Sequence, residues 1–262
     1  MARKARETSG TGIYHVMLRG INRQDIFNDD EDFHRFLQVL YQMVCPSDEI
    51  TGKQLPARCI FYAYCVMTNH VHLLVRESSE NLASVIKRIA VSYAHYYNKK
   101  YLRYGHLFQD RFKSEPVNDS AYFFTLLQYI HQNPVAAGMT ANVSSYPWSS
   151  WHEYERAGSG IQDICSTGHV LSRMPIQELR EHVNTLLPKT DSILDFDTGN
   201  NYMTDDEVKA FISDTYGIDP FNIQLLSKDK RNGILREAKD LGATYRQLVR
   251  LTGLSYAIIR KA

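Results

Sequence analysis

Apolar and polar positions alternate with two different periods along the first part of this chain. Over 70–75, Val71, Leu73 and Val75 interleave with His70 and His72. That period of two predicts a strand with an aliphatic face toward a core and both imidazoles on the other face. Over 120–133 the period is helical: Phe123, Leu126, Leu127 and Ile130 form one stripe, Asp119 or Ser120 can cap the start, and Pro134 is expected to end the helix at Asn133. A second helical stripe, Ile86, Ile89, Ala90, Tyr93, Tyr97 and Tyr101, predicts a helix over 82–102.

Extended this way, the pattern reads as strand 12–19, helix 31–44, strand 58–67, strand 70–76, helix 82–102, strand 111–117 and helix 120–133. Asn69 sits in a tight turn between adjacent strands, and 45–57 is a loop marked by Pro46, Gly52 and Pro56. No glycine-rich phosphate loop accompanies the alternation. The expected fold is therefore α+β, a ferredoxin-like antiparallel sheet with helices on one face.

The periodicity weakens after residue 155, which divides the chain into an expected domain at 1–155, a linker at 156–200 and a small all-α module at 201–262. The linker is read from Gly158, Ser159, Gly160, Gly168, Pro175 and Pro188 between short apolar runs. In the module, Asp205-Asp206-Glu207 opens a helix, and Ile234, Ala238 and Leu241 belong to another. Tyr245–Leu251 and Tyr256–Arg260 flank the turn Thr252-Gly253-Leu254-Ser255. Two short helices around a glycine turn are helix-turn-helix-like, with Tyr256 and Arg260 among the side chains that would enter a groove. A packing or dimerisation module is the alternative.

Candidate chemistry sits on the two best-patterned elements. His70 and His72 form half of a metal site if a third ligand arrives from another element; otherwise they are polar-face residues of a half-exposed strand. On the helix, Tyr129 and Asn133 are four apart and so share a flank, presenting a phenol nucleophile beside an amide oxygen.

The segments His70-Val71-His72, Gly105–Ser114 and Tyr129-Ile130-His131-Gln132-Asn133-Pro134-Val135 resemble the REP-associated tyrosine transposases. These are insertion-sequence-200-like members of the single-tyrosine HUH superfamily. Tyr14–Arg23 and Tyr146-Pro147-Trp148-Ser149-Ser150 resemble the same family, so the likeness covers about residues 10–155. It implies Tyr129 as nucleophile and His70, His72 and Asn133 as metal ligands. Asp110 departs from the pattern, because relatives often carry glycine there. The resemblance also implies single-stranded or hairpin DNA as partner, a monomer or homodimer, and Mg2+ or Mn2+ as cofactor. Two imidazoles and an amide oxygen leave octahedral positions for phosphate and water, which suits those ions.

Composition changes the picture only locally. Net charge is +1, from 30 Lys and Arg against 29 Asp and Glu, and does not by itself indicate nucleic acid. Distribution does: 85–115 carries seven basic and two acidic residues, 228–262 nine and three, and 156–227 five and eleven. Arg111 and Lys113, just before the tyrosine helix, are the preferred phosphate contacts. Arg19 and Arg23 flank a Gly-Ile-Asn turn and either clamp DNA or stand solvated. Tyr93, Tyr96, Tyr97, Tyr101 and Tyr104 interleave with the first basic stretch and are either a base-stacking platform or, for Tyr93, Tyr97 and Tyr101, the buried face of their helix. Cys45, Cys59, Cys65 and Cys165 lack paired spacing and read as free thiols. No apolar run reaches the roughly 20 residues of a membrane helix and no signal segment is visible, so a cytoplasmic protein is expected.

Three function classes follow. The first is a DNA-strand-transfer enzyme acting through a 5′-phosphotyrosine. The second is a domesticated DNA-binding protein without turnover. The third, a histidine-motif nucleotide hydrolase, is disfavoured because position 74 is Leu rather than a further histidine.

Overall fold

A computed structural model describes residues 6–48, 50–109, 111–160, 163–187, 193 and 203–261, with Arg246 as backbone only. Asp110 and most of 188–202, which carried part of the expected linker, lie outside the described residues. The chain divides into two compact units, 1–21 with 25–194 and 22–24 with 195–262.

The first unit is built on four strands, β1 (Ile13–Arg19), β2 (Cys59–Val66), β3 (His70–Glu77) and β4 (Lys113–Pro116), in the order β2-β3-β1-β4. Every pairing is antiparallel, so the sheet expected from the alternation is present. Val16 and Leu18 of β1 and Val71, Leu73 and Val75 of β3 share one core with α1 (Asp30–Val44) and α2 (Leu82–Lys100). Tyr93 and Tyr97 are buried there, and the Tyr101 hydroxyl donates to Asp32 Oδ2 at 2.8 Å. Tyr93 and Tyr97 are thus packing residues of α2 and not a base-stacking platform.

The expectation of helices on one face is corrected. The opposite face is covered by α3 (Ser120–Ala136), α4 (Trp151–Glu155), α5 (Thr167–Leu171) and α6 (Ile176–Asn184). The physical reason is that the imidazole face is not polar throughout. Leu74 of β3 and Tyr62, Ala63 and Cys65 of β2 also point that way and bury against Phe123, Leu126, Leu127 and Ile130 of α3. A register shift between Phe61 and Ala63 places Tyr62 and Ala63 together in that second core, which simple alternation could not anticipate.

Two boundaries also move. Helix α3 runs through Pro134 to Ala136 instead of stopping at Asn133. Ala137 N donates to Asn133 O at 2.9 Å, so backbone bonding continues past the proline, and the Asn133 side-chain Nδ2 donates to Tyr129 O at 3.0 Å. Within the expected linker, α5 and α6 instead pack into the first unit. Val170, Leu179 and Val183 are fully buried, and Gln132 Nε2 of α3 donates to Val183 O at 2.8 Å.

The second unit is helical, with α7 (Asp205–Tyr216), α8 (Lys228–Asp240), α9 (Tyr245–Thr252) and α10 (Tyr256–Lys261). Reciprocal capping pairs, Thr204 with Glu207 and Thr244 with Gln247, start α7 and α9. Its core contains Val208, Ile212, Ile223, Leu235, Ala238, Leu248 and Ile259. Leu241, assigned to a helix by its spacing, falls just beyond α8 and is exposed, because Gly242 in a left-handed conformation (φ 107°) turns the chain away.

Candidate active site

Side chains directly opposite one another in an antiparallel pair share a face. The registers Met17↔His72, Arg19↔His70, His15↔Leu74, Met17↔Lys113 and His15↔Glu115 therefore put Arg19, His15, His70, His72, Lys113 and Glu115 on one side of the sheet. Helix α3 lies over the β2 and β3 end of that side and carries Tyr129 to it.

The phenol ring of Tyr129 stands edge-on to His72, with ring centroids 5.5 Å apart, and to His15 at 5.9 Å. His70 and His72 are 4.9 Å apart. The His15 ring lies within 15° of parallel to that of His72, centroids 5.3 Å apart, with its Nε2 3.1 Å from His72 Nδ1. His70 Nδ1 lies 2.6 Å from Asn69 Oδ1. A carbonyl oxygen only accepts, so His70 donates from Nδ1. His72 Nε2 is buried and makes no hydrogen bond within the structure. Burial, then the neighbouring His70, His15 and Arg19, holds the His72 imidazole well below its ordinary pKa, which keeps it neutral as a ligand must be.

Each expected site residue can now be placed. His70, His72 and Tyr129 come together, and Asn133 lies one turn beyond Tyr129 on α3. Because the Asn133 amide nitrogen is bonded to Tyr129 O, its oxygen is the remaining donor. Among the described residues, no three His, Cys, Asp or Glu side chains form a group able to hold a metal.

Arg19 and Lys113 share the imidazole face. Arg111 does not accompany them. It precedes β4 and lines a cavity of about 290 Å³ with Leu18, Ile86, Phe108 and Phe112, on the α2 side of the sheet. Extended geometry begins only at Lys113, so the two-residue spacing does not carry Arg111 to the same face. Arg23 follows Asn22 in a left-handed pair (φ 60° and 53°) among the residues grouped with the second unit. Tyr256 and Arg260 are exposed on α10, where Tyr256 meets the Tyr245 ring at 5.8 Å.

Sequence reasoning missed His15, Glu115 and Asn69. For His15 a signal existed: its place between Tyr14 and Val16 in an alternating strand puts it opposite the aliphatic face.

The family profile described as "Transposase IS200 like" matches residues 9–133. A protein of Haemophilus influenzae named as a REP-associated tyrosine transposase is 28% identical over 106 residues, covering 36% of this chain. The match spans 60% of that relative's length. A solved REP-associated tyrosine transposase bound to a REP hairpin aligns with a TM-score of 0.47 at 17% identity, over 63% of this chain and 94% of that one. A solved transposase from Deinococcus radiodurans aligns with a TM-score of 0.32 at 17% identity, over 50% and 97%. Among the described residues no helix is long and apolar enough to cross a membrane. Over residues 9–133, a little under half of its length, the chain is similar to the IS200-like transposases.

Proposed function

We propose that this protein is a REP-associated tyrosine transposase that cleaves and rejoins single-stranded or hairpin DNA. The observation that carries the reading is the Tyr129 ring set edge-on to His72, 5.5 Å away, on a sheet face shared with His70, Arg19 and Lys113.

In the cleavage step the Tyr129 oxygen attacks a backbone phosphorus. The new bond joins tyrosine to the 5′-phosphate, the phosphorus–O3′ bond breaks, and the strand leaves as a 3′-hydroxyl. The phenolic proton is lost on attack and one is returned to the leaving oxygen. Attack by a DNA hydroxyl on the phosphotyrosine reverses the step, so the bond energy is conserved without ATP. Arg19 and Lys113 are suited to hold the flanking phosphates on this face.

The donor set fits Mg2+ or Mn2+: His70 Nε2 and the unpartnered His72 Nε2 from β3, with the Asn133 amide oxygen from α3. Bound there, the ion would neutralise phosphate charge and orient the phosphorus for in-line attack. In the second unit, α9, the Gly253 turn and α10 are read as a helix-turn-helix that offers Tyr256 and Arg260 to DNA.

The test is a denaturing gel of labelled hairpin DNA incubated with the protein and Mn2+ or Mg2+. A covalent adduct that is metal-dependent and absent in Tyr129→Phe is expected. Tight binding without adduct in any metal would favour a domesticated DNA-binding protein instead.

A further inference from the structure

Two groups on the imidazole face have no part in the cleavage step: His15, fully buried in β1, and Glu115, partly exposed in β4.

Their atoms form a line. Glu115 Oε2 lies 4.0 Å from His15 Nδ1, and His15 Nε2 lies 3.1 Å from His72 Nδ1. The line ends at His72 Nε2, which is buried and without a hydrogen-bond partner, as is His15 Nδ1. We propose that His15 is a positioning residue that fixes His72 in the tautomer with its proton on Nδ1, so that the Nε2 lone pair is presented to a divalent cation, with Glu115 anchoring the far end. The proposal rests on the reading of His70 and His72 as ligands.

The chemistry allows only one consistent assignment. A neutral imidazole that gives its Nε2 lone pair to a cation must carry its proton on Nδ1. That N–H then donates to His15 Nε2, so His15 carries its own proton on Nδ1, on the side of the Glu115 carboxylate. Both orphaned atoms acquire a purpose in this arrangement: His72 Nε2 faces the cation and His15 Nδ1 faces the carboxylate. His70 is handled in parallel, since Asn69 Oδ1 accepts from its Nδ1. Both ligand rings are thereby oriented from behind. Removing such outer partners commonly weakens metal binding ten- to a hundredfold. The two rings lie within 15° of parallel, as an in-plane hydrogen bond between them requires.

The test uses the full chain. Long-range nitrogen NMR on the metal-free protein should show His72 protonated on Nδ1. Calorimetry with Mn2+ alone should show binding weakened ten- to a hundredfold in His15→Leu and severalfold in Glu115→Gln. In His15→Gln the side-chain Oε1 can still accept from His72 Nδ1, so most of the affinity should return. If the buried His15→Leu change prevents folding, the wild-type tautomer and the two polar variants decide the matter. A His72 protonated on Nε2, or Mn2+ affinity unchanged in every folded variant, overturns the positioning role while leaving the ligand reading intact. A wild-type protein that binds neither Mn2+ nor Mg2+ overturns both.

Discussion

Three buried imidazoles on adjoining elements show how much a residue's role depends on what its two nitrogens meet. His131, on α3 two residues after Tyr129, has both occupied: Nδ1 donates to Leu127 O at 2.8 Å and Nε2 accepts from the Ser150 hydroxyl at 2.8 Å. It is a core residue, and burial pushes it down to about 4. The unfolded chain, with an ordinary histidine near 6.5, therefore binds one more proton than the folded chain between about pH 4 and 6.5. Stability from this group is complete above that window and is lost as pH falls through it, by up to about 3 kcal/mol. Urea unfolding at pH 7 and 4.5 should show a pH dependence about one proton smaller in His131→Gln than in wild type; an equal dependence would remove His131 from the account. His72 and His15, by contrast, each keep one buried nitrogen without a hydrogen-bond partner, which is what leaves His72 Nε2 available for the proposed ligand role. The sequence made His70, His72 and Tyr129 legible because alternation and the spacing within one helix place them without long-range information. His15 stood alone in its strand, and its partner His72 is 57 residues away, so only strand pairing could join them.

Elements were legible where one face was uniformly apolar. The stripe of α3 predicted its type and the side it buries, and the alternation of β3 predicted its type and one of the two faces it buries. The second layer of helices was not legible, since the sheet face that receives α3 mixes His15, Met17 and His72 with Leu74 and Cys65, and a shift in β2 adds Tyr62. The turn between α9 and α10 is an element whose sequence requirement is sharp. Gly253 has φ 69°, and a Cβ there would come within 2.9 Å of Phe221 Cε2. The Phe221 ring is exposed and can swing aside, so the cost of Gly253→Ala is mainly left-handed strain, about 1 kcal/mol. Hydrogen exchange should show faster exchange of the α9 and α10 amides, with β3 unaffected. Unchanged protection in α9 and α10 would mean that the turn tolerates a side chain at no cost.

At the scale of the whole molecule, a near-neutral net charge conceals where nucleic acid can bind, because affinity for a polyanion follows the cations that displace counterions from phosphates. The sequence located the basic stretch before α3 but treated Arg111 and Lys113 as one contact. The register separates them: Lys113 lies opposite Met17 on the imidazole face, while Arg111 borders the cavity beside α2. A strand engaged by Tyr129 should therefore meet Lys113 and Arg19 and bypass Arg111. Each lost phosphate contact lowers the slope of log affinity against log salt by about 0.7 for a single strand. Titrations of fluorescent single-stranded DNA over a range of salt, with Tyr129→Phe as background, should show Lys113→Ala and Arg19→Ala each reducing the slope by about that amount, and Arg111→Ala leaving it unchanged. The reverse pattern, with Arg111 counting and Lys113 silent, would place the strand along the α2 side of the sheet, away from Tyr129, and so would contradict the proposed chemistry as well as the footprint.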